Sequence, residues 1–157
     1  QTDYVEEYDG SSWTVVTVTP GTGSYRGGLG TQTAGLVCGA GRPGPAGGPS
    51  NVTLEYDGSN WTAGGNLPES KDRVMTGGTQ TAGWMCGGDA DPGLKTFTNH
   101  YDGSSWTTAP NIGTARSGYC QAGTQSLGLI AGGGTPSVTT ATEEFTHVVE
   151  TKTLTIS

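Results

Sequence analysis

Cationic side chains are scarce. Seven Lys and Arg in 157 residues, scattered singly along a chain of net charge −7, offer no cluster that would neutralise a phosphate backbone. Nucleic acid is therefore not an expected partner. Bulky apolar residues are also few, with AVILMFWYC at 31%, and no run approaches the ~18 residues of a membrane-spanning helix. No charged-then-apolar leader stands at Gln1. These features predict a soluble chain without membrane insertion. Three cysteines, Cys38, Cys86 and Cys120, form neither a CxxC nor a His-flanked metal pattern, and read as small buried residues. Only two histidines occur, His100 and His147. No serine sits in a Gly-x-Ser-x-Gly elbow, and Gly27-Gly28-Leu29-Gly30 is too short a signal for a phosphate cradle. The expectation is a protein with no catalytic residues, no cofactor and no metal.

What is abundant is glycine, 29 residues, with eight prolines besides. Interior glycine costs a helix roughly 0.5–1 kcal/mol relative to alanine, so a helical bundle is excluded and turns with short strands are favoured. Four Trp and six Tyr set the chain apart from a disordered low-complexity segment. These aromatics recur in order. Tyr8-Asp9-Gly10-Ser11-Ser12-Trp13-Thr14 reappears as Tyr56-Asp57-Gly58-Ser59-Asn60-Trp61-Thr62 and as Tyr101-Asp102-Gly103-Ser104-Ser105-Trp106-Thr107. A second signature keeps phase with it: Gly30-Thr31-Gln32-Thr33, Gly78-Thr79-Gln80-Thr81 and Gly123-Thr124-Gln125-Ser126. Each second signature precedes an apolar stretch closed by small residues, such as Trp84-Met85-Cys86-Gly87-Gly88. A degenerate fourth unit, Glu143-Glu144-Phe145, has lost the turn and the Trp, as a capping repeat does.

Asp-Gly followed by small polar residues is a tight turn joining a strand that ends in Tyr to one that begins at Trp. Gly-Thr-Gln-Thr joins a Gly-rich strand, about 72–77 in the second repeat, to an apolar one at 82–87. Proline in 40–50 and 88–95 makes those segments loops. Four short antiparallel strands per repeat is one blade of a β-propeller, so the expected fold is all-β. The chain reads as one region, with a partial blade over 1–20 and blades over about 21–66, 67–110 and 111–157. Small-residue pairs, then Tyr, then Trp, then Arg before the next strand (Arg26, Arg73, Arg116) resemble the kelch repeat. The Tyr-to-Trp gap is shorter than in the usual motif, and Gly39-Ala40 replaces one Gly-Gly pair. The phrasing YDGSSWT with GTQTAG is also similar to kelch-like regions of marine bacteriophage structural proteins. That resemblance implies a propeller scaffold, usually a binding surface.

About three and a half blades are fewer than a closed ring needs, so the expectation is either a longer polypeptide or several copies completing one assembly. The alternating 151–157 segment reads as a final strand. Tyr8, Tyr56, Tyr101, Trp13, Trp61 and Trp106 are expected to pack between blades, with sugar stacking as the sharper alternative. Arg26, Arg73 and Arg116 are expected to tie blades together through carbonyls or through Glu7, Glu55 or Glu144. The loops at 40–50, 88–96 and 133–140, carrying Arg42, Asp89, Asp91 and Lys95, are the expected ligand-reading surface. The functional expectation is a non-enzymatic structural or receptor-facing component of a virus particle or extracellular assembly. Its partners would be copies of itself or other particle proteins. A lectin-like adhesin for cell-surface glycans and a kelch-type protein-interaction adaptor are the alternatives.

Overall fold

In the computed structural model the described residues are 4–21, 23–41, 48–118, 120–134 and 137–146. They form four antiparallel sheets, and no helix occurs among them. The first sheet has two strands, β1 (Tyr4–Tyr8) and β2 (Trp13–Val18). The second runs β3 (Gly27–Thr31), β4 (Ala34–Gly41), β5 (Pro49–Tyr56) and β6 (Trp61–Ala63), hydrogen-bonded in that order. The third repeats the pattern with β7 (Met75–Thr79), β8 (Ala82–Cys86), β9 (Thr98–Tyr101) and β10 (Trp106–Ala109). The fourth holds β11 (Cys120–Gly123), β12 (Leu127–Ala131) and β13 (Thr142–Thr146). The expected final strand at 151–157 lies outside the described residues.

Each Tyr-Asp-Gly-Ser-x-Trp motif closes a hairpin in the same way. Tyr8 faces Trp13, Tyr56 faces Trp61 and Tyr101 faces Trp106, with ring centroids 5.2, 4.8 and 4.8 Å apart. The turn is held by its aspartate: Asp9 Oδ1 accepts from the amides of Ser11 and Ser12 at 2.8 Å each, and Asp57 and Asp102 repeat this at their own turns. Glycine follows because the next residue has φ of 101°, 94° and 96° in the three copies, where a Cβ is strained. Those amide bonds stabilise the charged carboxylates and draw all three aspartates below the usual carboxylate range, Asp102 to about 2.

The core lies between sheets. One cluster joins Leu36 and Cys38 of the second sheet to Val74, Met85, Tyr101 and Trp106, with Leu67 from the connection between the two sheets. Another joins Met75, Trp84 and Cys86 of the third to Ile130 of the fourth. Trp84 is wholly buried, and Gly77 sits opposite it in the ladder because a Cβ there would lie 2.7 Å from the indole. Cys38 and Cys86 are buried free thiols as expected, but Cys120 is exposed. It occupies the ladder position of Met75, and no described sheet covers β11 on its outer side, which leaves the whole strand exposed.

Candidate functional site

Successive sheets are fastened by the same few side chains. Gln80 Nε2 donates to the carbonyls of Gly35 and Tyr56 in the preceding sheet at 2.8 and 3.0 Å, and Gln125 Nε2 donates to Gly83 and Tyr101 at 2.8 Å each. The Tyr56 hydroxyl donates to Glu7 at 2.6 Å, and Tyr101 donates to Glu55. Hydrogen bonding to Glu7 pushes the Tyr56 phenol up to about 12; burial first, then the bond to Glu55, does the same to Tyr101. Trp106 Nε1 donates to Thr53 at 2.9 Å. In the corresponding place three residues before Tyr8 the chain has Val5, whose side chain carries no acceptor, and the buried Trp61 Nε1 has no partner among the described residues.

Glu7 and Glu55 are thus engaged by tyrosine, and Arg116 uses Glu143 where Glu144 was expected. The three arginines also differ in register. The bridges Ser24–Gly41, Asp72–Asp89 and Ser117–Gly134 align Gly23 with Lys71 and Arg116, and Tyr25 with Arg73 and Gly118. Arg116 is fully buried, bonded to the carbonyls of Gly132 and Ala141 at 3.1 and 2.9 Å and ion-paired with Glu143. Its counterpart Lys71 is 1% exposed, with Nζ 3.4 Å from Asn99 Oδ1 and 4.8 Å from the Phe97 ring, and burial lowers its pKa. In the second sheet Arg26 reaches back into this place, its guanidinium 3.3 Å from where a Gly23 Cβ would stand, and bonds the Gly21 carbonyl at 3.1 Å. Sequence reading passed over Lys71. The signal was its place two residues before Arg73, hidden because the arginines were aligned by type.

Two clefts stand out. The first, polar and about 410 Å³, is lined by Tyr25, Asp72, Arg73, Asp89 and Asp91. Tyr25 and Arg73 have φ of 59° and 50° at the position where the fourth sheet has Gly118, also positive at 54°. A left-handed non-glycine residue costs roughly 1–2 kcal/mol, so both carry strain that glycine would relieve. Their side chains stack, with the Arg73 guanidinium 4.7 Å from the Tyr25 ring centre, and Arg73 also pairs with Asp89 at 3.2 Å. Burial raises the Asp72 carboxyl, whose Oδ1 has no partner among the described residues. Of the loop residues picked from sequence, Asp89 and Asp91 meet here; Lys95 turns aside to bond the Pro92 carbonyl at 2.8 Å. Arg42 and His147 lie outside the described residues.

The second cleft, about 390 Å³ and mostly apolar, lies between the first and second sheets, where Glu7, Tyr8 and Trp13 face Leu29, Val37 and Trp61. Tyr8 is 47% and Trp13 67% exposed, although Tyr101 and Trp106 of the same motif are 0% and 8% exposed.

No family model matches the chain, and no curated protein matches it in sequence. Among solved structures it is similar to that of YjhT, with a TM-score of 0.78 over 94% of this chain at 14% identity. The chain spans half the length of YjhT. Likeness at that identity carries the all-β fold alone. Among the described residues no helix is long and apolar enough to cross a membrane.

Proposed function

We propose that the four sheets are successive blades of a kelch-like β-propeller that serves as a non-enzymatic scaffold, a structural or receptor-facing component of a virus particle or another extracellular assembly. Its partners are copies of itself or other proteins of that assembly. The observation that carries this reading is the recurrence of fastening contacts at equivalent positions, both kinds meeting at the seam of the second and third sheets: Gln80 and Gln125 bridge to the preceding sheet through the same two carbonyl positions, and Tyr56 and Tyr101 through the same glutamate position. Radial repetition of a sheet needs that kind of position-equivalent contact. Glycine at the seams lets backbones approach, and side-chain variety is left to the loops, where partners are read. Denaturing and native mass spectrometry of the protein isolated from its source tests the reading. A subunit in a defined higher assembly supports it; a monodisperse monomer at micromolar concentration sinks it.

A second reading, a lectin-like adhesin, has one observation in its favour. The polar cleft sets an exposed aromatic, Tyr25, beside the carboxylates of Asp72 and Asp89, a combination suited to a sugar ring and its hydroxyls. A glycan array binding the chain, with binding abolished by Tyr25→Ala, would favour it; a blank array removes it.

A further inference from the structure

Among the described residues, left-handed backbone carries a full side chain at Tyr25 and Arg73, and a line of backbone bonds joins the two. The Arg73 N–H donates to the Tyr25 carbonyl at 2.9 Å and the Gly118 N–H to the Arg73 carbonyl at 3.0 Å, so three successive sheets bring one equivalent position side by side. Along that line φ is 59°, 50° and 54°. Core packing does not account for the two large side chains. Tyr25 is 60% exposed and Arg73 is exposed as well, yet both keep a strain that glycine, as at 118, avoids. Strained backbone under solvent-facing side chains is typical of positions held for contact with a ligand.

The stacked Tyr25 and Arg73 form a ridge between two clefts. On one side lies the polar cleft with Asp72, Asp89 and Asp91. On the other, a cleft of about 460 Å³ is lined by Tyr25, Arg73, Val74, Ser117, Gly118 and Gln121. Both volumes fall within the roughly 300–1,000 Å³ of small-ligand sites. Their chemistry differs. The polar cleft offers carboxylates as acceptors, and Asp72 Oδ1 has no partner among the described residues. The second offers the Ser117 hydroxyl and the Gln121 amide beside Val74 and bare backbone at Gly118. That glycine sets the width of the second cleft. A Cβ built there meets nothing within 4 Å, so the place that Tyr25 and Arg73 fill in their own sheets is open space in the fourth.

We infer that the two clefts are subsites of one elongated saccharide site, with consecutive sugar units on either side of the Tyr25–Arg73 ridge, and that the saccharide it takes carries no carboxylate or sulfate. The inference rests on the adhesin reading and extends it from one ring to a chain. Hydroxyls of the first unit donate to Asp72 and Asp91, while the Tyr25 ring, steadied by the Arg73 guanidinium at 4.7 Å, gives the apolar faces of the sugar a platform. The second unit passes over Gly118, with Ser117 and Gln121 as its polar partners. Charge sets the class of sugar. Three carboxylates lie against one guanidinium, which Asp89 already pairs at 3.2 Å, on a chain of net charge −7. An acidic sugar therefore meets like charge in the polar cleft, and an uncharged one does not.

Isothermal titration of the full chain with glucose, mannose and N-acetylglucosamine, and with cellobiose, mannobiose and diacetylchitobiose, tests this. In the series that binds, the disaccharide should bind about tenfold or more tightly than its monosaccharide, and Tyr25→Ala should abolish binding of both. Gly118→Tyr puts a ring into the second cleft in a backbone conformation that Tyr25 already adopts, and should bring the ratio of the two affinities down to about one. Gln121→Ala, at an exposed side chain, should lower the same ratio about threefold and keeps the test decisive if the glycine variant does not fold. Equal affinity for monosaccharide and disaccharide, unmoved by either variant, overturns the elongated site and leaves the single-ring adhesin reading standing. No binding of any of these sugars removes both. Tighter binding of digalacturonic acid than of the uncharged disaccharides overturns the assigned class of sugar.

Discussion

The hairpin at 4–18 and the hairpin formed by β9 and β10 share sequence, turn and aromatic pairing, and differ in nearly everything beyond themselves. Both set Tyr against Trp with centroids about 5 Å apart, and both hold the turn through an aspartate accepting two backbone amides. Yet Trp13 is 67% exposed and Trp106 8%. Trp106 has a preceding sheet to enter and Thr53 to bond; Trp13 has neither among the described residues. Seven residues are enough to write the hairpin, while the neighbouring sheet decides what it contributes. Trp61 stands between them: its hairpin closes like the others and its ring is half-buried, but its Nε1 has no partner among the described residues, and the chain has Val5 at the position that Thr53 holds for Trp106.

The sharpest way to break this contrast is to truncate the same residue in both places. Trp106→Ala empties a packed seam and orphans Thr53, and should cost about 3–5 kcal/mol of unfolding free energy in urea titration. Trp13→Ala should cost under about 1 kcal/mol, since little apolar surface leaves the core. Equal losses would mean that the first hairpin is packed as the third is.

Alkali should act on the covered sheets. Burial holds the Cys38 and Cys86 thiols up at about 12, against 9.0 unfolded. A group whose folded pKa is raised contributes stability that is fully present below the unfolded value and is lost as pH climbs toward the folded one. The two thiols together account for a loss of about 3 kcal/mol by pH 10. Tyr56 and Tyr101, held at about 12 against 10.0, add to the loss above pH 10. Lys71, whose pKa is lowered by burial, works the other way, because its desolvated charge is relieved as pH rises toward 10.5. The predicted net outcome is a fall in denaturation midpoint beginning near pH 9, moved upward by about one pH unit in Cys38→Ala/Cys86→Ala.

A smaller contrast concerns the two buried cations. Glu143→Gln removes the carboxylate facing Arg116 but keeps the hydrogen-bonding shape, and should cost about 2 kcal/mol; Asn99→Ala beside Lys71 should cost about 1 kcal/mol, since the acceptor lost is an uncharged amide oxygen at 3.4 Å. Thermal melts of both variants check the ranking. The least effect is a gain: Val5→Thr gives the Trp61 indole the acceptor that Thr53 gives Trp106, and should stabilise by about 0.5–1 kcal/mol, absent in the Trp61→Phe background.

Local signals made the hairpins readable in advance, since Asp-Gly turns and flanking aromatics act within a few residues. The Gly-Thr-Gln-Thr turns were readable too, although the Gly-rich strand of the second repeat begins at Met75, three residues later than expected. The registers between sheets were not. Arginine at 26, 73 and 116 looks periodic, but the bridges at Ser24, Asp72 and Ser117 set Arg116 level with Lys71, two positions before Arg73. Side-chain length lets Arg26 reach a place that its backbone position does not hold, and only packing reveals this. The polar cleft was half legible: Asp89 and Asp91 lie close in sequence, while Tyr25 and Asp72 arrive there because neighbouring sheets place equivalent backbone side by side.

Residue-resolved amide hydrogen exchange on the intact chain weighs the hairpins against one another directly. Ladder amides within Tyr56–Trp61 and Tyr101–Trp106 should exchange at least a hundredfold more slowly than those within Tyr8–Trp13, in line with the burial of each hairpin. Equal protection of all three would contradict the claim that the neighbouring sheet, and not the shared motif, sets the stability of each copy.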